Sequence, residues 1–298
     1  MAAPQTPRYA DAPTVPVAEH DGVAPYVPPP PEGPRKRVVS LSLAAPFRWL
    51  ALGWGDLRAH AGIALFYGFC FWLMALALVF IFRSRPEYVM SVASGCLLVG
   101  PFLAMGLYEV SRRRESGRQP DLASSLTCWD TRLRSVGLLL LVLIVLELVW
   151  GRASLVIFAV FFNTGMPSTT GVIGAVFNPQ NWEFVAVYIT VGGAFAALVY
   201  AVTVVSIPMI LDRDTDAISA AITSLQVFFD NIAVMLLWGL LITSLVALAL
   251  LPWGLGLILV GPLLGHASWH AYRGSVEWLA EPADGLPATS KQAAGSGF

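Results

Sequence analysis

Polar positions are sparse along this chain and come in clusters. Between them apolar residues run for about 20 positions, the length that crosses a hydrocarbon core about 30 Å thick. Six such runs are predicted to be helices: Ala61–Phe82, Tyr88–Tyr108, Val136–Phe162, Trp182–Ile210, Ile232–Leu251 and Trp253–Tyr272. The third and fourth are long enough to tilt or to include an interfacial turn. Little more than Pro252 separates the fifth and sixth, which form a tight hairpin. Each pair of runs follows a shorter segment of mixed character: residues 43–58, Asp121–Arg134 and Asp216–Asp230. In the first, Phe47, Leu50, Trp54 and Leu57 recur at spacings of three and four. Arg48, Asp56 and Arg58 form its polar edge, and Pro46 suits a first helical turn. Such a Trp-containing segment belongs in the headgroup plane. The pattern predicts an all-α membrane protein with six transmembrane helices in three hairpin units, each preceded by a short amphipathic interfacial helix.

The hairpins repeat. Leu98-Val-Gly-Pro101 recurs as Leu259-Val-Gly-Pro262, and at the same offset Tyr108, Glu109 and Arg112 match Trp269, His270 and Arg273. Asp121-Leu-Ala-Ser-Ser-Leu126 resembles Asp216-Ala-Ile-Ser-Ala-Ala221. An aromatic–Asp step recurs at Trp54-Gly-Asp56, Trp129-Asp130 and Phe229-Asp230. The agreement is closest between the first and third units. Internal repeats of this kind mark stacked supersecondary units. Residues 1–39 hold ten prolines and few large apolar residues, so they cannot bury enough surface to order. The division is therefore a disordered cytoplasmic tail (1–39), a membrane domain (40–275) and a flexible cytoplasmic tail (276–298).

Composition narrows the function. Of the 298 residues, 56% are hydrophobic and 12% charged, against about 25% charged in soluble domains. The net charge of −1 and the lack of any recognisable module argue against nucleic acid as a partner. The first 40 residues lack the apolar core of a signal peptide. Cys70, Cys96 and Cys128 do not suggest a disulfide framework. Arg112, Arg113, Arg114, Arg118, Arg132 and Arg134 all lie between the second and third runs, while Asn163–Asn181 has no Lys or Arg. The positive-inside rule puts the connection between the second and third runs, and with it both termini, in the cytoplasm, and Asn163–Asn181 outside. Arg83 and Arg85 break that asymmetry and are expected to snorkel.

The candidate chemistry is thin. Glu147 lies about 18 Å into the third run from Ser135, close to the midplane, and Arg152 about 25 Å in. Five residues apart, they point about 140° away from each other. Intramembrane charges usually face a bundle interior or a pathway, so this pair is either a packing tie or a proton or ion site. Glu109 is the third polar candidate. His266 and His270 share a helix face, with His60 on the same side of the membrane; together they could hold a metal. Gly100–Pro101, Gly261–Pro262 and Pro208 are candidate helix kinks. Gly68, Gly192 and Gly193 would allow close helix approach. No phosphate loop, nucleophile elbow or soluble catalytic domain is visible.

Three stretches carry a family resemblance: Pro46-Phe-Arg-Trp-Leu-Ala-Leu-Gly-Trp-Gly-Asp-Leu-Arg58, Leu98-Val-Gly-Pro-Phe-Leu-Ala-Met-Gly-Leu-Tyr-Glu-Val-Ser-Arg-Arg113 and Glu147-Leu-Val-Trp-Gly-Arg152. Over about residues 38–275 the chain resembles the bacterial integral membrane family called domain of unknown function 2189. That resemblance implies a proteobacterial inner-membrane protein. Some members carry a cytochrome c oxidase subunit I label, but four histidines, one of them His20 in the tail, cannot build that centre. The expected function is that of a non-enzymatic accessory, structural or assembly protein of a membrane complex, with membrane lipid and a membrane-protein complex as partners. The alternatives are a small-solute or ion transporter using Glu147 and Arg152, and a metal- or haem-binding respiratory component. No cofactor is expected outside that last case.

Overall fold

The computed structural model describes residues 36–84, 89–162 and 179–279, with the backbone alone for residues 89–95, 97, 98 and 179. The expectations for the tails up to 35 and from 280, for Arg85 and for the connection 163–178 lie outside the described residues.

Ten α-helices are described: α1 (Ala45–Ala59), α2 (Ala61–Ser84), α3 (Val89–Glu115), α4 (Leu122–Leu126), α5 (Leu133–Phe161), α6 (Trp182–Thr203), α7 (Ser206–Arg213), α8 (Ala217–Asp230), α9 (Ile232–Leu250) and α10 (Leu257–Ser275). Among the described residues four stretches are long and apolar enough to cross a membrane: Ala61–Ser84, Leu122–Phe161, Trp182–Arg213 and Ile232–Leu250. Only 11% of the most apolar window of α2 is buried by protein. Its Leu65, Phe69, Leu73 and Phe80 point outward, which water does not tolerate and lipid does. The other two predicted crossings fall on α3 and α10.

α10 differs in kind from the other apolar helices. It begins at Leu257, four residues later than the predicted sixth run, because Trp253 (φ 56°) and Gly254 (φ 74°) make a left-handed turn after α9. The Trp253 carbonyl accepts a hydrogen bond from the Trp72 indole at 3.2 Å, and the Arg83 guanidinium stacks 4.6 Å above the Trp253 ring. Arg83, the residue at odds with the charge asymmetry, thus has a cation–π partner. α10 is packed on several sides, and His266, Ala267, Trp269, Ala271 and Tyr272 are all buried. α1, α2 and α3 surround it.

Glycines set how close these helices come. A Cβ on Gly68 (α2) would stand 2.0 Å from the Ile258 carbonyl oxygen of α10, and one on Gly53 (α1) would stand 2.7 Å from the Ala267 nitrogen. This contact sets which face of α1 is buried. The buried face is Pro46, Trp49, Gly53, Asp56 and Leu57. Phe47 and Trp54 lie off that face, 56% and 41% exposed, while Asp56, expected on the polar edge, is 3% exposed. The buried face is the one whose Gly53 can approach another backbone, and it carries Asp56 inward with Trp49 and Leu57.

The shorter elements follow their local chemistry. Asp121 Oδ1 accepts from the Ser124 amide at 2.9 Å and Asp216 Oδ2 from the Ser219 amide at 2.8 Å. The Asp-x-x-Ser similarity is a pair of helix N-caps. The predicted fourth run breaks after Thr203: Ser224 Oγ donates to the Ala201 carbonyl at 2.6 Å and accepts from the Val205 amide at 3.1 Å. Pro208 consequently falls in the first turn of α7. It starts a helix and does not kink one, a correction with a steric reason, since an early proline leaves no ladder bond unmade.

Residues from both predicted tails are ordered together. Strands β1 (Lys36–Val38) and β2 (Val276–Trp278) pair antiparallel, with Lys36 opposite Trp278. Asn231, 7% exposed, ties in the following segment. Its Oδ1 accepts from the Leu41 amide at 2.8 Å and its Nδ2 donates to the Val39 carbonyl at 3.1 Å. Asn231→Ala is expected to cost about 1–2 kcal/mol. Hydrogen exchange at the Leu41 amide should accelerate relative to the α8 amides, and uniform acceleration across both would contradict a local tether.

Candidate functional site

The densest buried chemistry lies where α1, α3 and α10 meet. Asp56, Ser111 and His266 are 3%, 1% and 0% exposed. Ser111 Oγ donates to Asp56 Oδ2 at 2.5 Å, and His270 Nε2 lies 2.9 Å from the same oxygen. Arg114 donates from Nη1 to Asp56 Oδ1. His266 Nδ1 lies 2.8 Å from Ser111 Oγ. The Ser111 hydrogen is already directed at Asp56, so His266 must donate from Nδ1, leaving Nε2 a bare acceptor. Nε2 is buried and has no hydrogen-bond partner.

Burial by itself would raise the Asp56 carboxyl; the hydrogen bonds from His270 and Ser111 outweigh it and hold the pKa at about 2. Asp56 is therefore an anion at neutral pH. The order Asp–Ser–His is the reverse of a nucleophilic relay, in which histidine takes the serine proton. Here histidine donates to the serine and the carboxylate takes the serine hydrogen. The arrangement clamps three helices together and does not activate Ser111 for attack.

Further ion pairs surround the clamp. Buried Glu109 (2% exposed) accepts from Arg112 and Arg113, both at 2.8 Å. Arg113 also reaches Asp121 at 3.2 Å. Glu115 accepts from the Trp269 indole and from Arg273 Nε, each at 3.0 Å. Tyr272 donates to Asp212 at 2.7 Å and accepts from the Trp278 indole at 2.8 Å. Arg132 pairs with Asp214. Arginines read from the sequence as topology markers thus also hold the helix ends to one another.

Glu147 occupies a second, separate place. It lines a groove of about 470 Å³ with Trp150 on α5 and Gly192, Phe195, Tyr200 and Thr203 on α6. Gly192 leaves room for the Trp150 ring, which a Cβ would meet at 2.9 Å, whereas Gly193 faces open space. Glu147 is half-buried and Arg152 exposed. Neither has a hydrogen-bond or ion-pair partner among the described residues. The two are not joined to each other, as their angular separation required.

Residues 88–212 match the family model described as "Predicted integral membrane protein (DUF2189)". This is the family that the sequence resembles. The match spans under half of the chain. None of the curated proteins and none of the solved structures matches it. The DUF2189 segment holds Ser111, Arg114 and Glu147 but neither Asp56 nor the two α10 histidines, so the clamp joins that segment to the helices before and after it.

The remaining candidates fall into place around these two sites. His266 and His270 both turn toward Asp56, by way of Ser111 and directly. His60 caps the end of α1, its amide bonding the Asp56 carbonyl at 3.1 Å. Among the described residues no three His, Cys, Asp or Glu side chains are placed to hold a metal. Pro101 and Pro262 lie within α3 and α10. Gly261 faces Phe71, which a Cβ would meet at 2.7 Å, while Gly100 faces open space. Asp56 and Ser111 were missed as site residues. Asp56 was visible in the aromatic–Asp pattern, but Asp130 and Asp230 in equivalent positions are exposed, so that pattern does not encode burial.

Proposed function

We propose that this protein is a six-span component of a bacterial inner membrane and serves as an accessory or structural partner of a membrane complex, docking through the α5–α6 hairpin. α3 and α10 supply the fifth and sixth crossings, and three helical hairpins repeat along the chain. Both ends of the chain lie on the cytoplasmic, arginine-rich side; the pairing of β1 with β2 supports a common side for the two ends. Glu147 carries the functional reading. A carboxylate at midplane depth costs about 2.5–3.5 kcal/mol on insertion scales, and Glu147 has no partner among the described residues to offset that. The groove it lines draws its walls from α5 and α6 alone, so it opens sideways, toward another membrane helix, and does not form an enclosed path through a bundle. A partner helix bearing a cationic or hydrogen-bonding side chain fits it.

Glu147→Gln should leave the fold intact and strip a membrane protein that co-purifies with the wild type in mild detergent, as read by quantitative mass spectrometry. An unchanged profile from native membranes would count against docking there. Glu147 also favours the transporter reading, which makes a different forecast: ion or solute flux in proteoliposomes of the purified protein alone, abolished by the same substitution.

A further inference from the structure

A cavity of about 610 Å³ opens beside the N-terminal half of α1, between the segment from Ser40 to Ala45 and the end of α10. Arg48, Trp49, His270, Arg273 and Gly274 line it, with Leu52 on its apolar side. The charges in it are unequally used. Arg273 is paired with Glu115 at 3.0 Å and approaches Asp212 at 3.8 Å. His270 faces Asp56. Arg48 is exposed and has no acidic partner among the described residues. A second donor is also free. Trp49 is 3% exposed, yet its indole N–H has no acceptor among the described residues. That N–H lies against Gly274, where a Cβ would stand 2.9 Å from Nε1. At the start of α1 the Ala45 amide is taken by the Ser42 carbonyl at 2.9 Å and Pro46 has no N–H, but no acidic side chain lies in the first turn, so the positive end of the helix dipole faces the same side.

We propose that this cavity binds the phosphate of an anionic phospholipid. Arg48 and the Trp49 N–H hold the phosphate oxygens, with the positive end of the α1 dipole behind them. The acyl chains run outward past Leu52, which lines the cavity and is 42% exposed. A basic, apolar-rimmed cavity beside an interfacial helix is what a headgroup with its chains requires. Gly274 keeps the entrance clear.

The inference rests on the interfacial placement of α1, and the test separates the two. Full-length protein is reconstituted in nanodiscs of phosphatidylcholine with or without phosphatidylglycerol, and retained lipid is read by native mass spectrometry. The wild type is expected to hold phosphatidylglycerol in preference to phosphatidylcholine. Arg48→Gln is expected to weaken that preference about tenfold, the loss of one charge-assisted contact, with an unchanged melting temperature because the side chain is exposed. Gly274→Ala should weaken it without changing any charge. Equal retention of both lipids, or full retention by Arg48→Gln, would overturn the proposal. So would displacement of the lipid by millimolar inorganic phosphate, which would assign the site to the free anion. Failure of the wild type to reconstitute at all would instead refute the membrane placement.

Discussion

Gly68→Ala is expected to destabilise the protein by about 3 kcal/mol or more, the upper end of what overpacking costs. The added Cβ would stand 2.0 Å from the Ile258 carbonyl oxygen and 2.7 Å from its carbon. A side-chain end could swing aside, but here the obstacle is the α10 backbone, so the helices themselves must separate. In lipid this loss is not recovered by hydrophobic burial elsewhere, because close packing is what holds membrane helices together. Gly62→Ala on the same helix and Gly193→Ala on α6 are the controls, since a Cβ at either position meets nothing within 4 Å. Those two should be neutral or slightly stabilising, as alanine is about 1 kcal/mol better than glycine in a helix. Opposite signs for the same substitution are the signature. If all three melt alike in detergent, α2 and α10 are not in backbone contact.

Asp56→Asn is expected to cost about 2 kcal/mol at neutral pH, and this cost should disappear in acid. The carboxylate holds Ser111, His270 and Arg114 at once, and an amide offers its one remaining oxygen to three donors. The Asp56 pKa is lowered to about 2 in the folded protein, against about 3.9 in an unfolded chain. A lowered pKa means that the unfolded state binds the proton first as pH falls. The stabilisation is therefore complete above about pH 4, shrinks as pH falls, and is lost below about pH 2. The quantity to measure is the difference in unfolding free energy between wild type and Asp56→Asn from pH 7 to pH 2, in which the other carboxylates cancel. A difference that does not vary with pH would show that Asp56 does not act as a buried anion.

The two sites differ in how readable they were. Glu147 is legible because a charge inside an apolar run is conspicuous, and counting residues gives its expected depth. Its groove is not, since that depends on how α6 lies against α5 and on Gly192 making room for Trp150. The clamp was harder still. Asp56 looked like one more polar residue on the edge of an amphipathic helix, and Ser111 like a residue at the end of a run. His266 and His270 were picked out as a pair for their four-residue spacing, but their partners, 155 and 214 positions away, leave no local trace.

Local chemistry was enough to locate the long apolar helices and the capped starts of α4 and α8. Apolar length, the proline and aspartate at helix starts, and the clustering of arginines each act over a few residues, so they survive in a linear reading. Which face of α1 is buried, where the predicted fourth run breaks, and that Lys36–Val38 pairs with Val276–Trp278 were settled only by tertiary structure. Each of these depends on a backbone approach or a hydrogen bond between residues far apart in the chain, and no pattern of neighbouring side chains records such a meeting.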